Sequence, residues 1–101
     1  MKNLSQYRNI KQQYAEDARE KFLNNIERQA TYLSAQALRI ANTVKEYRDS
    51  NEQSNRFASL INDFENIMRN LNFAQMSRDI TETVRYETEV KLIDQINEMK
   101  E

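Results

Sequence analysis

The 101-residue chain contains no glycine and no proline. Average usage would place about a dozen of the two together in this length. Glycine is the usual residue where backbone turns left-handed, helix C-caps included, and proline marks sharp stops and many turns. Without either, tight turns and forced helix ends become scarce. Multi-stranded sheets and compact many-helix folds are disfavoured, and long uninterrupted helices are favoured. The sequence predicts an all-α protein.

Charged residues make up 31% of the chain and apolar ones 39%, a polar balance that a disordered chain would share. Disorder, however, joins low hydrophobicity to high net charge. Here the net charge is −1, and Tyr, Phe, Ile and Leu recur throughout. Order is expected, as a single domain over 1–101, because a chain this short cannot build two independent cores. There is no cysteine, hence no disulfide, thiolate nucleophile or zinc–thiolate site. No apolar run nears the roughly 20 residues of a membrane helix, and no charged start leads into the apolar run of a signal peptide. The expected setting is the cytoplasm or the inside of a virion or other large particle, with no membrane. Twelve asparagines accompany eight glutamines. Asparagine is a poor helix former, so these helices must draw on packing.

Two apolar seams locate the helices. Ile26, Ala30, Leu33, Ala37, Ile40, Val44 and Tyr47 follow spacings of 4, 3, 4, 3, 4 and 3, an unbroken heptad line. Phe57, Leu60, Phe64, Ile67, Leu71 and Ala74 repeat the pattern. Between them Asp49 to Asn55 holds no apolar residue, and Ser50/Gln53 and Asp49/Glu52 have capping-box spacing. The expected elements are helix one over about 3–48, a turn at 49–55 and helix two over about 55–100. Folding back at the turn sets Tyr47 on Phe57, Val44 on Leu60, Ile40 on Phe64, Ala37 on Ile67, Leu33 on Leu71 and Ala30 on Ala74. Each pair of numbers totals 104, as one antiparallel register requires. The same register would set Tyr14 on Val90 and Ile10 or Lys11 on Ile93. The reading is a long antiparallel helical hairpin, coiled-coil-like, with these seam residues as its helix–helix interface. A three-helix alternative breaks helix two near 70–79, with Asp79 as the cap of the last helix and Glu82 at its box position.

Charge agrees with antiparallel pairing. Residues 1–50 carry nine basic and six acidic groups, and residues 51–101 carry six and ten. The basic start (Lys2, Arg8, Lys11) then lies beside the acidic end (Glu89, Asp94, Glu98, Glu101). Apolar positions also spread wider than one coiled-coil line. Ala30, Ser34, Ala37 and Ala41 form a small-residue face on helix one, and Ile61, Met68 and Phe73 lie off the seam of helix two. Such width implies more than one neighbour. A dimer of hairpins forming a four-helix bundle is expected, or insertion among helices of other subunits.

Chemistry is hard to place in this composition. No histidine is present, which removes the commonest general base and metal ligand. No serine has a glycine-built elbow, and every phosphate-cradling loop needs glycine. Carboxylates do recur at helical spacing, as at Glu16 and Glu20, but the Glu-x-x-His pairs of di-iron bundles are missing. No enzyme, cofactor or metal is expected. Basic residues interleaved with tyrosine, near Tyr7 and Tyr14, offer one alternative: nucleic-acid contact through Lys2, Arg8, Lys11, Arg28 and Arg39. A pI near 5.6 argues against it.

In length and mid-chain turn the chain resembles the helical-hairpin secretion substrates built around a Trp-x-Gly turn, and also the type III needle subunits. It reads Ser50-Asn51-Glu52 at the first family's turn and lacks the proline of the second. The resemblance is one of architecture and transfers no functional residue. The expected function is that of a non-enzymatic structural or interaction subunit, in a phage, virion or secretion-type assembly.

Overall fold

The computed structural model describes residues 4–99. Lys2, Glu101 and the expected helix end at residue 100 lie outside the described residues. Three α-helices run in order: α1 over Ser5–Arg48, α2 over Ser59–Asn70 and α3 over Phe73–Met99. A single 3₁₀ segment, Ser54–Ala58, leads into α2. No strand occurs among the described residues. The chain is all-α and follows the path of an antiparallel helical hairpin, with the return arm broken once.

The way α1 ends follows from the missing glycine. No described residue has positive φ, so the left-handed cap that closes many helices is not used. Instead Ser50 Oγ donates to the Tyr47 carbonyl at 2.9 Å and accepts from the Glu52 N–H at 3.3 Å. Lys45 and Arg48 occupy the last turn, where cations favour the helix dipole. The chain reverses over Asp49 to Gln53 in ordinary conformations. Ser50 therefore closes α1, rather than opening a capping box with Gln53, and Gln53 caps the 3₁₀ segment with no side-chain bond.

The return arm breaks at Leu71 and Asn72, inside the window of the three-helix alternative. Leu71 is extended, at φ −81 and ψ 131. Side chains of α1 meet the break: Gln29 Oε1 accepts from the Asn72 backbone N–H at 2.7 Å, and Tyr32 Oη accepts from the Asn70 side-chain Nδ2 at 2.9 Å. Asn72, just before α3, is a residue type favoured at that position. Asp79 does not cap the last helix; it lies inside α3 and is buried.

The chain divides into two compact units. The turn unit is Glu27–Asn72. Its buried apolar residues are Ile40 and Ile67, and Tyr47 stacks on Phe57 with ring centroids 5.0 Å apart. The terminal unit joins Met1–Ile26 to Phe73–Glu101. There α1 pairs antiparallel with α3: Arg8 meets Asp94, Lys11 meets Glu89, Tyr14 meets Tyr86 and Lys21 meets Asp79. Ala15, Val90 and Ile93 are buried between these pairs.

The register differs from the single one expected. In the turn unit Tyr47 on Phe57 keeps the total of 104, and Tyr32 with Asn70 totals 102. In the terminal unit Tyr14 lies on Tyr86 and Lys11 on Glu89, totalling 100, in place of Val90 and Ile93. An extended residue advances about 3.3 Å against about 1.5 Å in a helix. Residues that leave the helix at 71 and 72 therefore shorten the count needed to cover a given rise, which is the direction of the shift.

Candidate functional site

In the terminal unit the helices meet along a polar seam. Arg8 Nε donates to Asp94 Oδ1 at 2.9 Å, with Nη2 3.4 Å from Oδ2. That hydrogen bond, reinforced by the charge of Asp94, raises the Arg8 pKa above its ordinary value. Lys11 Nζ sits 3.0 Å from Glu89 Oε2. Contact with Glu89 also raises the Lys11 pKa. Three tyrosines surround the same ammonium, with ring centroids 5.5 Å (Tyr7), 5.8 Å (Tyr14) and 5.7 Å (Tyr86) away. All fall within the range of cation–π attraction. Further along, the buried Asp79 accepts from Gln75 Nε2 at 2.7 Å and lies 3.8 Å from the exposed Lys21 ammonium. A buried carboxylate requires such partners.

The basic residues are placed differently from one another. Arg8 and Lys11 are engaged with acids of α3. Arg28 and Arg39 are exposed on α1, and Arg39 Nε donates to Gln36 Oε1 at 3.0 Å. Among the described residues no cluster of three acidic groups could hold a metal ion. No described helix is long and apolar enough to cross a membrane.

The turn unit splits the expected interface in two. Ile40 and Ile67 are buried, and Ile26 (at the edge of the terminal unit), Val44, Tyr47, Phe57, Leu60 and Leu71 are half-buried. Val44, Tyr47, Phe57 and Leu60 come together around one small cavity near the turn. By contrast Ala30, Leu33, Ala37 and Phe64 are exposed. Gln29, Tyr32 and Gln36 are the half-buried positions of α1 at this height. The packed stripe of α1 thus continues the line of Arg8, Lys11, Ala15, Ala18 and Phe22, at alternating spacings of 3 and 4. Its polar members hid it from an apolar count. The best apolar line of the sequence lies beside it.

Together with α2, that line forms one side of the unit. At about 100° per residue, Ala30, Leu33, Ala37 and Ala41 lie roughly a quarter turn from the packed stripe of α1. Ile61, Phe64 and Met68 lie roughly a quarter turn from the packed stripe of α2, in the same rotational sense. In an antiparallel pair, equal rotation of both helices puts both sets on the same side. Large apolar side chains here remain open to solvent, and Ile61, Phe64 and Met68 line a shallow groove with Glu65 and Arg69.

No family model matches the chain, and no curated protein or solved structure is significantly similar to it.

Proposed function

We propose that this chain is a non-enzymatic structural or interaction subunit that assembles through its helices into a homo-oligomer or larger particle. The single observation carrying this reading is the exposed apolar side of the turn unit, beside an intrachain seam that is half polar. A turn unit that leaves Leu33, Ile61, Phe64 and Met68 in water is built to have those residues covered by protein. The absence of histidine and cysteine from the sequence accords with a role that needs no nucleophile. Within that class, a phage or virion component or a secretion-type assembly suits a long-helix subunit.

The competing reading is a small nucleic-acid-binding regulator. Arg8 and Lys11, two of its five basic residues, are occupied by Asp94 and Glu89, which weakens it. Purification from the native source with partners attached, followed by mass spectrometry, separates the two. Recovery in a stoichiometric protein particle is expected. Recovery with nucleic acid and no protein partner overturns the proposal, particularly if the complex dissociates steeply with added salt.

A further inference from the structure

We infer that the apolar side of the turn unit is covered by the same side of a second copy of this chain, with α1 of each copy lying over α2 of the other. The inference rests on the assembly reading above and names its first partner. Its basis is a complementarity that the side carries within itself. The contribution of α1 is shallow, built from Ala30, Ser34, Ala37 and Ala41, with Leu33 at its edge. The contribution of α2 is a ridge of Ile61, Phe64 and Met68.

Both contributions stand at the same height. The contacts Tyr47–Phe57 and Tyr32–Asn70 fix the pairing at either end. Interpolation between them places residues 61–68 opposite roughly 34–42, the stretch that holds the alanines. A two-fold axis parallel to the helices, midway between the two facing sides, therefore lays the ridge of each copy into the shallow strip of the other. An interface of this isologous kind must be self-complementary. Small residues let helices approach closely, and large ones fill the grooves left between them. A foreign partner would have to supply that shape; a second copy already has it.

The area is adequate for a stable dimer. Leu33 is 41% exposed, Ile61 62%, Phe64 56% and Met68 54%. At on the order of 100 Å² of exposed surface each, these four amount to roughly 400–500 Å² per copy. Two copies with the alanine strips included bury roughly 1,200 Å². That reaches the lower edge of specific interfaces, about 1,200–2,000 Å² in total.

The test uses the full-length chain in sedimentation and light scattering over a dilution series. The wild-type chain is expected to be a dimer at micromolar concentration. Phe64→Glu should weaken association by roughly a hundredfold or more and, being at an exposed position, should leave helix content unchanged after dilution. Leu38→Glu, on the face of α1 turned away from α2, should leave the dimer intact. Because the chain has no cysteine, an equimolar mixture of Ala37→Cys and Phe64→Cys chains can be oxidised. Mixed crosslinks should exceed either self-crosslink. Should Phe64→Glu lose helix, Met68→Glu and the mixed crosslink decide the same point. A dimer insensitive to both Phe64→Glu and Met68→Glu overturns this face while the assembly reading stands. A wild-type monomer at micromolar concentration overturns the second copy as partner. If that monomer still purifies within a particle of other subunits, the broader reading survives without it.

Discussion

Replacing Ile67 with alanine separates the two possible seams of the turn unit by energy. Ile67 is 3% exposed, and it and Ile40 are the unit's buried apolar residues. The substitution removes three carbons, a transfer loss of about 2.4 kcal/mol at about 0.8 kcal/mol per buried CH₂. The cavity left behind adds to this, for a total of about 3 kcal/mol. In a domain of this size each kcal/mol moves the melting temperature by about 4–8 °C, so a fall of roughly 12–24 °C is expected. Phe64→Ala removes more atoms, yet it starts from a half-exposed position and should cost about 1 kcal/mol or less in the dissociated chain. Thermal and urea melts followed by far-UV circular dichroism, repeated over a range of chain concentrations, measure both. The Ile67 penalty should persist at every concentration, while the Phe64 penalty should shrink on dilution as its cover is lost. An Ile67→Ala chain that melts within a few degrees of wild type, beside a Phe64→Ala chain that collapses at all concentrations, would refute the assigned facing of α2.

Two further outcomes follow from the polar seam. Lys21→Met strands the buried Asp79 carboxylate without its nearby cation and should cost about 1 kcal/mol, modest because the lysine is exposed; adding Asp79→Leu should recover the loss, since an apolar residue needs no partner, and a double-mutant cycle by urea melts reads the coupling. The Lys11 ammonium, raised by contact with Glu89, should titrate by NMR above the ordinary lysine value and return toward it in Glu89→Gln. Its sign fixes the pH dependence: a folded value above the unfolded one gives stability that is full below the unfolded value and lost as pH rises through the folded one.

In the terminal unit, polar pairs of α1 and α3 flank the buried Ala15, Val90 and Ile93. The tyrosines of the N-terminal segment could be read as base-stacking surfaces, and the structure gives them another task. Tyr7, Tyr14 and Tyr86 gather around Lys11 while Glu89 neutralises it, which lets a lysine occupy a helix seam. Such a site is selective for alignment, because sliding α3 by one residue would carry Glu89 and Tyr86 away from the ammonium together. Buried or half-buried polar pairs are best attested as devices that fix register, and Arg8 with Asp94 repeats the arrangement one turn away.

The sequence by itself determined the helical class, the reversal after Arg48 and the antiparallel sense of pairing. These rest on local chemistry: the absent glycine and proline, one long polar interruption, and opposite charge at the two ends. It also marked 70–79 as the place where the return arm could break. Tertiary structure alone decided that the break falls at Leu71 and Asn72, because the side chains that meet it, Gln29 on the Asn72 N–H and Tyr32 on the Asn70 amide, lie some forty residues away in the chain. It alone decided the register of the terminal unit, which is set by Lys11 with Glu89 and Tyr14 with Tyr86. And it alone decided which stripe of α1 faces α2. Heptad spacing identifies a line of apolar residues along a helix, but the same spacing serves a neighbour within the chain or one outside it. Leu33, Ala37 and Phe64 satisfy the pattern as well as Ile40 and Ile67 do, and only the packing of α1 against α2 shows that the first three look outward.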